Sequence, residues 1–289
     1  MTTEYESSKV PTGGIWERVR VEAELRRDAE PALTSFFHTS LLEHDSLSSA
    51  LSYILALQLG SAAMPAISMK RIFEEAFADS PEMEAAVMAD LEGVCQRDPA
   101  CRYYSTPILF YKGFQALQAW RVSHWAWSNS RHSLALFLQS RISEVYGIDI
   151  HPAAQIGHGV MIDHASAVVI GETSIIEEDV SIYQGVTLGW NGKDSGKRHP
   201  HIARGALLSA GSQVLGNIRI GEYARVAAGC VVLESVEDGM TVAGVPAKIV
   251  SGPSKVPWWQ AAPDSLEGPS SVKGPVKDPA NRSSSLVES

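Results

Sequence analysis

Three polar clusters interrupt the apolar second half of the chain: Asp149-Ile150-His151-Pro152, Asp163-His164-Ala165 and Arg198-His199-Pro200. A carboxylate beside an imidazole fixes the ring tautomer and raises its basicity, leaving the other nitrogen to take a proton from a hydroxyl. Arg198 offers the planar fork that suits a carboxylate, and Asp163 or Asp98 can meet an ammonium group. Together these residue types describe a site for a small amino acid whose hydroxyl is to be activated. Singly, each has a plainer reading: a turn histidine is usually solvated, Asp before Pro or Gly is usually turn chemistry, and a loop arginine is usually surface. Their clustering in one region is what favours function. His151, His158 and His164 form a competing set, because imidazole suits zinc. Spacings of seven and six put the three rings at different positions of one coil, so without a second subunit they do not converge, and no metal is expected.

The element that must position these groups is the stretch 148–232, in which an apolar residue returns every six positions. Ile150, Ile156, Ile162, Val168, Val180 and Val186 share one register, with Ser174 the only misfit, and Ile202, Leu208, Val214, Ile220, Val226 and Val232 share a second. Six residues are three strand periods, so the marked side chains face one way, and Gly157, Gly216 and Gly221 suggest corners. Such coils bury an apolar column only when stacked, the logic of a repeat array. A parallel β-helix is expected. Triangular coils of about eighteen residues would bring Asp149 and His164 into adjacent coils, about 4.8 Å apart and offset by half a side. The ladder breaks between Gly189 and His201, which predicts an extruded loop (189–201) carrying Arg198 and His199; loops that interrupt a rigid scaffold commonly carry binding groups.

From Ile15 to about Ser140 the spacing is helical, as in Leu47, Leu51, Leu55 and Leu59. Pro31 fits a first helical position. Ser80-Pro81-Glu82 supplies a capping oxygen, a pre-set φ and a carboxylate for a helix that runs to about Arg97, where Asp98-Pro99 stops it. Residues 111–129, with Trp120, Trp125 and Trp127, and residues 131–145 read as core helices. The expected order is a disordered segment 1–14, a helical oligomerisation domain 15–147, a β-helix 148–250 and a disordered Pro/Ser/Gly/Lys-rich tail 251–289. With 24 basic against 33 acidic residues and no basic cluster, nucleic-acid binding is not expected. Cys95, Cys101 and Cys230 lack a CxxC spacing and read as free thiols in a reducing compartment. Neither a leader nor a spanning apolar run is present, so a cytoplasmic protein without membrane contact is expected.

An all-helical first half, then DIHPAAQIG, the DHA of 163–165, YQGVTLG before the loop, the RHP of 198–200 and a closing AGVPAKIV together resemble the serine O-acetyltransferases. The resemblance runs from about Ile15 to Val250 and includes Asp98-Pro99-Ala100 and Tyr104-Ser105-Thr106-Pro107. It implies an α+β chain whose β-helix is left-handed, a departure from the usual crossover hand. It also implies homotrimers formed through the β-helix, paired into hexamers by the helical domains, with active sites between neighbouring subunits. By the same resemblance His164 is the general base and Asp149 its partner; Asp98 and Asp163 hold the serine ammonium, Arg198 takes its carboxylate, and His199 lies near the reacting oxygen. Acetyl-CoA, the co-substrate, would run along the coils past Gly189, Ala210, Ala228 and Lys248, and L-cysteine would inhibit at the serine site. Family members that bind O-acetylserine sulfhydrylase do so through a terminal isoleucine; this chain ends Leu286-Val287-Glu288-Ser289, so that complex is not expected. Competing readings are acetyl transfer to homoserine or a sugar, a zinc carbonic-anhydrase-like β-helix protein, and a non-catalytic scaffold. The pairing of Arg198 with Asp98 and Asp163 favours a zwitterion.

Overall fold

The helices form where the spacing predicts them. A computed structural model describes residues 14–193, 195–254 and 256–260, and within these the helical half comprises α1 (Ile15–Ala29), α2 (Thr34–Phe37), α3 (Leu47–Leu59), α4 (Ala66–Asp79), α5 (Pro81–Arg97), α6 (Ser105–Phe110), α7 (Lys112–Ser128) and α8 (His132–Tyr146). Pro31 takes a first helical position, at the start of the 3-10 helix Pro31–Leu33 that leads into α2. One correction concerns a helix start: the Ser80 side chain makes no capping bond, and its carbonyl accepts from Met83 N instead. Asp98 sits beyond α5 in an extended conformation, as the following proline requires. Trp120 and Trp125 are buried, as a core reading demands, while Trp127 is partly buried and stacks on His132. Gly147, in the left-handed region that glycine adopts freely, ends α8 and turns the chain directly into the strand Ile148–Ile150.

From there the chain winds as a left-handed parallel β-helix. One face stacks five strands (Ile148–Ile150, Val168–Ile170, Thr187–Gly189, Gln213–Leu215, Val231–Val232), the second four (Gln155–Ile156, Ile175–Ile176, His201–Ile202, Arg219–Ile220), and the third six, beginning with Met161–Ile162 and Ser181–Ile182. Within the stack Ile150 pairs with Ile170, Ile156 with Ile176 and Ile162 with Ile182. The six-residue ladder therefore slips. After Ile162 the next inward residue of that column is Ile170, two positions later than an unbroken repeat would put it, and the surplus lies in the corner 163–167. Val168, Val180, Val186 and Ser174 are buried too, but in a second, narrower column shared with Ala154, Ala206, Ser212, Ala224 and Cys230. Ser174 is thus a regular member of the small-residue column and not a misfit in the large one. Among the described residues no strand lies between Gly189 and His201, so the ladder is interrupted there.

Helices and coils are fastened by buried polar groups, and the described residues from 14 to 259 belong to one compact unit. Asp90 of α5, fully buried, accepts from Arg121 Nη2 at 2.7 Å, from Gln118 Nε2 at 3.1 Å and from Val160 N at 2.9 Å; Arg121 also donates to Gly157 O. Burial pushes the Asp90 pKa up, and Arg121 with these donors opposes it. Arg97 spans the same junction, reaching the carbonyls of Gly159 and Asp179 and the Ser181 hydroxyl. Removing either member of a buried pair strands the other, which makes this junction sensitive to substitution. Order also continues past residue 250: Lys248–Ser251 runs antiparallel to Thr241–Ala243, Trp258 Nε1 donates to Ser181 Oγ, and the Arg97 guanidinium lies over the Trp259 ring. The segments expected to be disordered fall largely at 1–13 and 261–289, outside the described residues.

Candidate active site

The lengthened corner is where chemistry gathers. His164, Ala165 and Ala167 adopt positive φ (54°, 61° and 60°), a conformation costly for residues with a side chain and common where function dictates the backbone. The start of α7 lies against this corner. Gly113 permits that approach, because a Cβ there would meet Ile162 and Ala165, and Lys112 Nζ donates to Ser166 Oγ. The result is a cleft of about 390 Å³ lined by Asp98, Tyr111, Lys112, Ile162, Asp163 and His164, among others. It unites two carboxylates with an imidazole. Asp163 accepts from His164 N at 2.8 Å, and its other oxygen is 3.8 Å from His164 Nε2; the His164 side chain is 73% exposed and free to meet a ligand. Burial and then a hydrogen bond to Asp98 push the Tyr111 pKa up, so the phenol stays protonated and can donate to that carboxylate.

Asp149 does not meet His164 as the coil arithmetic anticipates. Its carboxylate accepts from Gln139 Nε2 at 2.7 Å, and within one chain no hydrogen bond or ion pair among the described residues joins it to His164. The two extra corner residues lengthen this coil, so that Asp149 pairs with Val169, twenty residues on, and not with a residue eighteen on. The corner is still tied to the strand that bears Asp149, through Ala167 N to Gly147 O at 2.8 Å.

Arg198 and His199 belong to a different edge of the prism. Arg198 Nη2 pairs with Glu172 and Nη1 with Gly196 O, and its guanidinium holds the Glu172 carboxyl below its usual range. His199 is buried against Gly171, where a Cβ would strike its ring. Its Nδ1 accepts from Thr173 N at 3.1 Å, which leaves Nε2 as the protonated nitrogen. Burial, then Arg198, depresses the His199 pKa, and burial does the same for His151 on this edge. A side of about five or six extended residues spans roughly 15–20 Å, so in one chain the His164 corner and the Arg198 corner do not share a small ligand.

The residues expected to line a long co-substrate divide in the same way. Backbone bonds run down the His164 edge from Gly185 N to Ser166 O, Gly211 N to Gln184 O and Gly229 N to Ala210 O, so Ala210 and Ala228 continue below His164 over about 15 Å at one coil per 4.8 Å. Gly189 closes a strand on the far edge, where the loop leaves. Lys248 is exposed on the antiparallel strand that follows the last coil. Among the described residues no three His, Cys, Asp or Glu side chains converge to hold a metal ion, and no helix is long and apolar enough to cross a membrane. Sequence reasoning misses Tyr111, Lys112, Glu172 and Thr173, which position the named groups. The tripeptides Tyr111-Lys112-Gly113 at a helix start and Gly171-Glu172-Thr173 at a corner are the signals that could reveal them.

A helical half joined to a left-handed β-helix of six-residue sides, with an imidazole and carboxylates at a strained corner, defines an acyltransferase of the hexapeptide-repeat class. The family model "Serine acetyltransferase, N-terminal" matches residues 15–119. A serine acetyltransferase of Salmonella typhimurium is 52% identical over 239 residues, covering 83% of this chain and 88% of that protein. Solved structures agree. A serine acetyltransferase in complex with cysteine superposes with a TM-score of 0.82 at 49% identity, covering 84% of this chain and 95% of the other. The Neisseria gonorrhoeae enzyme in complex with serine gives 0.80 at 44%, with 83% and 99% covered, and the Brucella abortus strain S19 enzyme with coenzyme A gives 0.82 at 42%, with 83% and 96% covered. The chain belongs to the serine acetyltransferase family.

Proposed function

We propose that this protein transfers the acetyl group of acetyl-CoA to the hydroxyl of L-serine, giving O-acetyl-L-serine and CoA for cysteine biosynthesis, with His164 as general base. The observation that carries the reading is the cleft that brings Asp98, Asp163 and His164 together beneath the start of α7. The serine ammonium sits between Asp98 and Asp163, within reach of the imidazole. Its carboxylate is met by Arg198, with the His199 Nε2–H beside the reacting oxygen. Because one chain holds these groups on two edges, the complete site forms where the His164 edge of one subunit faces the Arg198 edge of the next. This geometry supports a trimer around the β-helix; pairing of trimers into a hexamer through the helices is a further expectation.

His164 removes the hydroxyl proton as the oxygen attacks the thioester carbon, and the resulting imidazolium returns that proton to the departing CoA thiolate. Asp149 is assigned the imidazolium, through the oxygen that Gln139 does not hold. Holding both reactants in one crevice supplies proximity, so no acyl-enzyme is needed. Acetyl-CoA follows the edge marked by Ala210 and Ala228, with Gly189 of a neighbouring subunit and Lys248 at its ends. The relatives in complex with serine, cysteine and coenzyme A support these ligands, and cysteine, which shares serine's ammonium and carboxylate, is expected to compete for the same site. Thiol release from acetyl-CoA should be seen with L-serine and not with homoserine or a galactoside. In the same assay His164→Ala should lower turnover roughly 10²- to 10⁴-fold. Preference for either other acceptor, or near-normal turnover of the variant in its native oligomeric state, would overturn the assignment.

A further inference from the structure

Cys95, in the last turns of α5, and Cys101, just past its end, stand with their sulfurs 3.3 Å apart. The segment between them contains Asp98-Pro99-Ala100, the turn that presents Asp98 to the cleft. We propose that these two thiols are an oxidisable pair, and that closing them into a disulfide alters the pocket for the substrate ammonium. The effect on substrate rests on the functional reading above; formation of the disulfide does not.

Three features of the turn support this. The sulfurs need to approach by only about 1.2 Å to reach bonding distance, near 2.05 Å. Cys101 N donates to Asp98 O at 3.0 Å and Ala100 N to Asp98 Oδ1 at 2.8 Å, so a displacement of Cys101 is passed to both ends of the Asp98 residue. Access is graded as well. Cys95 is partly exposed and Cys101 buried beside it, while the third thiol, Cys230, is buried in the coil core, where it hydrogen-bonds Val242 O. The sulfur–sulfur hydrogen bond lowers the Cys101 pKa and raises that of Cys95, so the two thiols titrate as a pair.

The oxidant is a hydroperoxide. With hydrogen peroxide, one thiolate of the pair attacks one oxygen and breaks the O–O bond, giving a sulfenic acid; the hydroxide released takes up the proton that the thiol gave and leaves as water. The second sulfur then attacks the sulfenic sulfur, the S–S bond forms, and the displaced hydroxide leaves as water with the second thiol's proton. Two electrons pass from the sulfurs to the peroxide: two thiols and one H₂O₂ give one disulfide and two waters. In a reducing compartment such a bond is transient, as sensing disulfides are.

The full-length protein is treated with stoichiometric hydrogen peroxide, digested under non-reducing conditions and mapped by mass spectrometry, and the serine and acetyl-CoA KM are measured before oxidation, after it, and after dithiothreitol. The expected result is a Cys95–Cys101 link 2 Da lighter than the dithiol and a serine KM raised at least threefold. The acetyl-CoA KM should stay within twofold, dithiothreitol should reverse the effect, and Cys95→Ser and Cys101→Ser should each abolish the response while Cys230→Ser retains it. No intramolecular link between these two residues, or a link that leaves the serine KM unchanged, overturns the proposal. Failure of the functional reading shows separately, as absence of serine acetylation by the reduced protein before any oxidant is added; the thiol map still tests the pair.

Discussion

Gly113→Ala tests whether the seat of His164 is set by the approach of α7. A Cβ at this position would stand 3.0 Å from both the Ile162 carbonyl carbon and the Ala165 methyl, with the Ile162 carbonyl oxygen nearer still. Carbon–carbon contacts relax at about 3.5–4.0 Å, and the carbonyl oxygen, nearer still, sets the larger demand, so the backbone of the corner must retreat by about 1 Å or more. Stability should fall by up to about 2 kcal/mol, because overpacking costs about 1–3 kcal/mol and replacing a helical glycine by alanine returns about 1 kcal/mol. Activity should fall as well, because a misplacement of about 1 Å at reacting groups can lower the rate about a hundredfold, equivalent to about 2.7 kcal/mol of barrier. Steady-state kcat/KM for serine, read beside the thermal midpoint and the oligomeric state, separates the two effects. A variant within twofold of the parent in kcat/KM would refute the idea that this contact positions the base.

Removing the Asp90 carboxylate as Asp90→Ala strands Arg121, whose side chain is only 9% exposed, and should cost about 3–5 kcal/mol in chemical denaturation. Arg198→Lys replaces a planar fork by a point charge and should raise the serine KM roughly ten- to a hundredfold, the scale of one charge-assisted hydrogen bond, with little change in the acetyl-CoA KM. Because the His199 pKa is depressed in the folded chain, its contribution to stability is full above the ordinary value near 6.5 and is lost as pH falls through the folded value. His199→Asn keeps an acceptor for Thr173 N but cannot titrate, so its denaturation midpoint should fall less between pH 7 and pH 5 than the parent's; equal slopes would contradict the assignment. His151 shifts in the same direction and is one of the charges that lower the His199 pKa, so His151→Asn is measured beside it as a second comparison.

Much of the fold is legible because a β-helix coil has only one way to bury its inward side chains, and a return every six residues reports it directly. The slip after Ile162 is hidden for an equally physical reason. Val168, Val180 and Val186 belong to the second inward column and, with Ser174 between the first two, recur every six residues, so they imitate an unbroken ladder across the surplus pair of residues. The limits of α5 are readable from Pro81 and Pro99, whose rings constrain the backbone wherever they stand, whereas the unused Ser80 hydroxyl shows that a capping residue offers an option and not an obligation. Residue chemistry marks Asp98, Asp163, His164, Arg198 and His199 as candidates. Their distribution over two edges is invisible without counting coils correctly, and Gln139 as the holder of Asp149 comes from a helix that no repeat pattern connects to that strand.

The narrow inward column of alanines, serines, valines and a cysteine has a consequence for where a small ligand can bind. Small side chains there let the coils close around their own interior, and at the His164 corner the hollow is completed by the tip of α7 laid against the edge. On the proposed reading, the rest of the enclosure comes from a second copy of the chain. For such a chain, assembly would be the step that completes the cavity, and dilution below the association threshold would remove the site without unfolding a single coil.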